Sequence, residues 1–130
     1  MNLNQVTVPS HDLEIAIPFY EKLGLNLIVK ALPHYARFEC PDGESTFSLH
    51  QVDQINPNND IWVYFEVDQL DQKVAELINL GIQFDEMPED KSWLWREARL
   101  KDPDGNQLIL YYAGENRKNP PWRLMGDGDE

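Results

Sequence analysis

Residues 12–25 read DLEIAIPFYEKLGL, and residues 68–82 read DQLDQKVAELINLGI. In the first stretch Leu13, Ala16, Ile17, Tyr20 and Leu23 recur at the spacing of one helical face, which predicts an amphipathic helix. Asp12 stands where a side-chain oxygen caps a first turn, and Gly24 where a helix ends in a left-handed residue. The second stretch repeats that order, with Asp68 as cap, Leu70, Val74, Leu77, Ile78 and Leu80 as the apolar face, and Gly81 as terminator.

Strand-like runs flank each helix. In the first half they lie at 3–8, 25–30, 35–40 and 46–52, and in the second at 61–67, 83–85, 93–101 and 107–112. Pro41-Asp42-Gly43 and Pro103-Asp104-Gly105 each make a turn ahead of a closing strand, because proline presets its own φ and glycine accepts a positive one. Helix cap, Leu-Gly terminator, Pro-Asp-Gly turn and closing strand follow in the same order in both halves. The chain therefore reads as βαβββ written twice, an internal repeat longer than a solenoid unit. Module 1 covers about 1–52, the polar segment DQINPNND at 53–60 is a linker, module 2 covers about 61–113, and 114–130 form a tail.

A chain of 130 residues fits one domain. No apolar run approaches the roughly 20 residues that cross a bilayer, and the N-terminus lacks the basic and apolar regions of a secretory signal, so a cytoplasmic location is expected. The single cysteine, Cys40, cannot form an internal disulfide, and no Cys/His cluster has zinc-site spacing. Acidic residues outnumber basic ones by 23 to 11, for a formal charge of -12. Phosphate-rich partners are repelled by such a chain, which excludes nucleic acid and anionic membrane. The final GDGDE, 126–130, has too little apolar content to order and is expected to trail in solvent.

Side chains alternate across a strand. One face of the strands collects Val6, Val8, Phe47, Leu49, Ile61, Val63, Phe65, Val67, Leu108 and Leu110, and is expected to receive the helices. The other collects Gln5, Thr7, Thr46, Ser48, His50, Trp62, Tyr64, Glu66, Gln107, Ile109 and Tyr111. A solvated face is polar as well, but it favours Lys, Glu and Thr rather than Trp62, Tyr64, Tyr111 and His50 together. Aromatic walls with a few polar groups are the makings of a small-molecule pocket. Trp93, Trp95 and Arg96 fit a lid or rim over it, with Arg96 open to an anionic substituent, or else a dimer contact or strand packing. His11 and His34 read as solvent-facing residues in loops or at a helix start, Cys40 as a small buried apolar residue, and Trp122 as an anchor docking the tail on the body or on a partner subunit.

The doubled βαβββ, the run Asp12 to Tyr20 followed by Leu23-Gly24-Leu25, and Arg99 to Asn106 with its Asp-Pro-Asp-Gly centre resemble the vicinal oxygen chelate superfamily of glyoxalases, bleomycin-resistance proteins and extradiol dioxygenases. The resemblance covers residues 1 to about 113. It implies an α+β fold in which paired βαβββ modules form a curved, incompletely closed eight-stranded mixed sheet, with two helices on its convex face and substrate in its concave one. A homodimer is also implied.

Enzymes of that superfamily hold a divalent metal on the first and fourth strands of each module, positions that fall here at Gln5, Ser48, Trp62 and Ile109. Glutamine serves some glyoxalases, but tryptophan offers only an N–H donor and isoleucine nothing. No metal and no other cofactor is therefore expected. The leading expectation is a small-molecule binding protein whose ligand contacts are Gln5, Thr7, Ser48, His50, Trp62, Tyr64, Ile109, Tyr111 and Arg96. An enzyme of lyase or dioxygenase type is the alternative, with a relocated divalent metal near Gln5, His50 and Glu66, or with His50 and Glu66 as acid and base. A structural dimer or interaction module is the third reading.

Overall fold

Strand β1 (Gln5–Ser10) runs into helix α1 (Leu13–Leu23), then β2 (Asn26–Ala31), β3 (Tyr35–Glu39) and β4 (Thr46–Gln51). The order restarts with β5 (Trp62–Glu66), α2 (Leu70–Asn79), β6 (Glu86–Asp90), β7 (Arg96–Lys101) and β8 (Gln107–Tyr112), followed by a 3-10 turn at Gly114–Arg117. These elements belong to a computed structural model that describes residues 1–124; the stretch 126–130, expected to trail in solvent, lies outside the described residues. The α+β class and both βαβββ modules stand as the sequence predicts. Hydrogen bonding groups the strands as two four-stranded mixed sheets, in the orders β1-β4-β3-β2 and β5-β8-β7-β6.

Compactness divides the chain into one unit of Met1–Trp62 with Lys101–Leu108, and another of Val63–Leu100 with the residues from Ile109 onward. In the first, Asp12 caps α1 by accepting from the Glu14 N–H at 3.0 Å, and Gly24 closes the helix at φ 107°. The helix buries Leu13, Ala16, Ile17, Tyr20 and Leu23, while the sheet buries Val8, Ala36, Phe38, Phe47 and Leu49. The Tyr20 ring lies 4.7 Å from Phe47 and 5.8 Å from Phe38, centroid to centroid. Each such aromatic or aliphatic burial stabilises the fold by about 1.5–3 kcal/mol. Strands β1 and β4 pair in parallel, Gln5 opposite Thr46 and Thr7 opposite Ser48. Strand β3 lies antiparallel on the other side of β4, with Arg37 opposite Ser48 and Tyr35 opposite His50.

In the second unit α2 buries Leu70, Val74 and Leu77, and the strands bury Val63, Ala98, Leu100 and Leu110. Three expectations are corrected. Gln69, not Asp68, stands at the α2 cap and makes no side-chain capping bond, so the helix starts one residue later than predicted. The strand expected at 83–85 forms at Glu86–Asp90, because the Ile82 N–H is still bonded to the Leu77 carbonyl in closing the helix and sheet bonding first appears from Asp85 to Arg99. Ile61, assigned to the core face, is 64% exposed: its N–H bonds the Asn59 side chain at 3.2 Å, which turns it out of the strand.

Candidate functional site

The first sheet carries a polar chain on the face opposite α1. Ser48, fully buried at the centre, accepts from Gln5 Nε2 at 2.7 Å, and that amide also lies 3.1 Å from Thr7 Oγ1. The Gln5 carbonyl oxygen accepts from the Thr46 hydroxyl. Ser48 Oγ lies 2.7 Å from the Tyr35 hydroxyl, to which Arg37 Nε donates at 2.8 Å. Burial pushes the Tyr35 phenol up, but the hydrogen bonds with Ser48 and Arg37 and the Arg37 charge together hold it below the usual tyrosine range. The sequence reading brought Gln5, Thr7, Thr46, Ser48 and His50 to this face. It overlooked Tyr35 and Arg37, although their alternation with buried Ala36 and Phe38 carried the signal.

The second sheet carries an aromatic cluster. Trp95 and Tyr111 stack with centroids 4.7 Å apart and planes 22° from parallel, and Tyr64 stands edge-on to both at 5.8 and 5.5 Å. These geometries suit the ring quadrupoles. Tyr111 and Ile109 are buried with Trp95 packed against them, whereas Tyr64 is 39% exposed and Trp62, two residues earlier on β5, is 51% exposed. Burial and the nearby Glu97 charge push the Tyr64 phenol up; burial and Glu66 do the same for Tyr111. Glu97 is itself buried, its Oε2 accepting from Trp93 Nε1 at 2.8 Å and its Oε1 lying 3.9 Å from Arg99 Nη2. The sequence reading named neither Glu97 nor Trp95 as a ligand contact, though Trp95, Glu97 and Arg99 alternate with buried Ala98 and Leu100.

Other predicted residues lie elsewhere. Arg96 shares strand parity with Ala98 and Leu100 and so points to the α2 side, where it grips Asp71 with Nε at 2.8 Å and Nη2 at 3.0 Å and reaches Asp90 at 2.9 Å. It is thus spent on carboxylates and stands apart from the aromatic cluster. With Asp71, Val74, Ile78, Met87 and Pro88 it lines a groove of about 440 Å³ on that helix side. The Glu66 carboxylate is committed too, accepting from the Ala113 and Gly114 N–H groups at 2.8 and 3.0 Å. The His50 side chain is exposed and makes no hydrogen bond among the described residues. Cys40 is half-buried, and Trp122, expected to dock the tail, is 56% exposed.

The donor set at the four positions assigned to metal ligands does not suit a divalent cation. The Gln5 oxygen is engaged by Thr46, the Ser48 hydroxyl is tied into the Gln5–Tyr35 chain, Trp62 offers only an N–H, and Ile109 has no donor atom. Among the described residues no three His, Cys, Asp or Glu side chains form a group able to hold a metal ion. No helix among them is long and apolar enough to cross a membrane.

The family model described as "Glyoxalase/Bleomycin resistance protein/Dioxygenase superfamily" matches residues 2–110. A probable trivalent organoarsenical cleaving enzyme of Bacillus subtilis (strain 168) is 29% identical over 115 residues, spanning 80% of this chain and 75% of the relative. Among solved structures, a glyoxalase/bleomycin resistance protein/dioxygenase from Nocardioides superposes with a TM-score of 0.76 at 23% identity, covering 96% of this chain and 90% of the other. A bleomycin-binding protein complexed with bleomycin superposes with a TM-score of 0.71 at 22% identity, covering 86% and 98%. At such identities the structural likeness speaks for the fold alone.

Proposed function

Given that the chain belongs to the glyoxalase/bleomycin resistance protein/dioxygenase superfamily, we propose that it binds a planar organic molecule against an aromatic wall and works without a resident metal. The observation that carries this reading is the Tyr64–Trp95–Tyr111 cluster, in which buried Tyr111 stacked on half-buried Trp95 fixes an edge-on ring whose outer surface remains open. Rigid aromatic surface of this kind binds flat ligands at low entropic cost. Membership of a superfamily whose description includes bleomycin resistance proteins supports a binding role. The unsuitable donors at Gln5, Ser48, Trp62 and Ile109 support the absence of metal chemistry.

A cleaving enzyme like the Bacillus subtilis relative finds less support. A soft trivalent arsenic centre prefers thiolates. This chain has one cysteine, Cys40, and burial together with Asp42 pushes its thiol up, away from the thiolate form. Acid–base chemistry by His50 and Glu66 is disfavoured by the two backbone N–H groups that already occupy Glu66.

The test is paired. Planar heteroaromatics such as acridine should quench tryptophan fluorescence and raise the melting temperature, because a ligand that binds only the folded state stabilises it. Elemental analysis should find no stoichiometric transition metal, and EDTA should leave the melting temperature unchanged. About one Zn, Ni, Mn or Fe per chain would move the weight to an enzyme. A homodimer belongs to the same proposal, since β2 and β6 end their hydrogen-bonded sheets as edge strands that pairing commonly covers. Light scattering that gives a monomer at micromolar concentration would count against it.

A further inference from the structure

In a chain with 23 acidic residues against 11 basic ones, arginines find carboxylates readily. Arg96 pairs with Asp71 and Asp90, Arg99 with Glu86, and Arg117 with Glu66. Exposed Arg123 donates to the Asn119 amide oxygen instead, and half-buried Arg37 also lacks such a pair: among the described residues no carboxylate comes within 4.0 Å of it. Glu39, two positions along the same strand and so on the same face, is held by Asn26 Nδ2 at 2.7 Å instead. The Arg37 guanidinium lies 5.4 Å from the centroid of the Tyr35 ring and donates its Nε–H to the Tyr35 oxygen at 2.8 Å. That fixes its orientation and leaves both Nη groups without an acceptor among the described residues.

Counting protons along the chain shows what Tyr35 presents. Ser48 Oγ accepts from Gln5 Nε2 and lies 2.7 Å from the Tyr35 oxygen, a contact in which either hydroxyl can be the donor. The Tyr35 oxygen accepts from Arg37, and with Ser48 as the donor between the two hydroxyls the Tyr35 O–H is released toward a ligand. In that arrangement two donors on one phenol oxygen polarise its O–H and make it a stronger donor. A fixed guanidinium whose Nη groups have no acceptor among the described residues and a phenol that can turn its O–H outward thus stand side by side, backed by a fully buried serine.

We propose that Arg37 and Tyr35 form an oxyanion-binding site on the face of the first sheet opposite α1, taking a carboxylate or phosphate oxygen of a ligand. Guanidinium N–H groups match either oxyanion in a fork, and a charge-assisted hydrogen bond is about twice as strong as a neutral one. The surrounding negative charge opposes bulk anions, so the contact acts at short range on an anion presented by a bound molecule. The assignment stands on the first sheet alone and does not rest on the aromatic wall.

The experiment follows the Nε–Hε resonance of Arg37 in 15N-edited NMR while inorganic phosphate or sodium benzoate is titrated at fixed ionic strength. A saturable shift is expected with at least one probe. Saturation by phosphate alone would identify a phosphoryl ligand, by benzoate alone a carboxylate on an organic body, and by both a general oxyanion site. Tyr35→Phe should weaken binding roughly 3- to 10-fold, and Arg37→Gln more than about 10-fold, the scale of a charge-assisted bond. Arg37→Lys keeps the charge but loses the fork; it should fall between them, and it keeps the test decisive if Arg37→Gln fails to fold. Arg117→Gln should bind as the parent does. A linear drift that Arg117 shares, or unchanged affinity in a folded Arg37 variant, would overturn the site.

Discussion

The Tyr20 hydroxyl donates to Oδ2 of Asp102 at 2.5 Å, joining two buried residues that lie 82 positions apart. Asp102 also accepts from Asn106 Nδ2 at 2.8 Å and from the Asp104 and Asn106 N–H groups at 2.9 Å each. Asn106 in turn donates to the Pro9 carbonyl at 2.8 Å, and Asp104 accepts from the His11 N–H at 2.7 Å. An unpaired buried carboxylate costs several kcal/mol, so this one persists because four donors converge on it. The Asp-Pro-Asp-Gly-Asn run at 102–106, read first as turn punctuation, is thus a hydrogen-bonding centre as well.

Tyr20→Phe keeps the ring against Phe38 and Phe47 and removes only the hydroxyl. The expected cost is about 1.5–3 kcal/mol, the range for a hydrogen bond to a charged group. Urea unfolding at neutral pH measures it, and a loss under about 0.5 kcal/mol would show that the other three donors suffice.

Two aspartates should titrate in opposite directions. Burial raises the Asp102 carboxyl above the usual 3.8 despite its hydrogen bonds, whereas the hydrogen bond and charge of Arg96 lower Asp71. A raised acid binds its proton more tightly folded than unfolded, so the Asp102 contribution is complete below pH 3.8 and is lost as pH rises through its folded value. For Asp71 the contribution is present above 3.8 and is lost as pH falls through its lowered value. Carboxyl 13C titration should place Asp71 below 3.8 and Asp102 above it; the reverse order would refute both assignments.

What could be read from the sequence was what local chemistry decides. Asp12, Gly24 and Gly81 act where the chain itself sets cap and left-handed geometry, and β8 has the predicted bounds, Gln107–Tyr112. Ile61 and β6 went astray because their state depends on partners, the Asn59 side chain and the helix-closing bond of Ile82. The candidate site was half legible. Alternation placed Ser48 and Tyr64, but Arg96 chose its side through Asp71 on a distant helix, and the roles of Tyr35 and Arg37 depend on a register that no local pattern states.

Trp93 and Glu97 give a test of what a buried charge needs. The Trp93 indole N–H is a direct donor to Glu97 Oε2, while Oε1 has no hydrogen bond among the described residues and lies 3.9 Å from Arg99 Nη2. Trp93→Phe leaves the carboxylate short of a donor and should cost about 1–3 kcal/mol. Glu97→Gln removes the charge at nearly constant volume and should cost less, or stabilise. Thermal denaturation ranks the two, and a more damaging Glu97→Gln would mean that Arg99 depends on the charge.

The aromatic wall separates binding from folding residue by residue. Tyr64 and Trp62 are 39% and 51% exposed, so truncating either removes ligand surface while leaving little cavity behind. Phe65, between Tyr64 and Glu66 on β5, has the opposite parity and shares the core face with buried Val63. Acridine binding followed by tryptophan quenching should weaken by about 1–3 kcal/mol in Tyr64→Ala, the scale of one aromatic anchor. The same should hold for Trp62→Ala when binding is read by calorimetry, since that variant changes the fluorophore. Both should lose less stability than Phe65→Ala, which opens space beneath the strand. If Trp62→Ala or Tyr64→Ala unfolds the protein while Phe65→Ala is tolerated, the faces of β5 are reversed and the ligand wall goes with them.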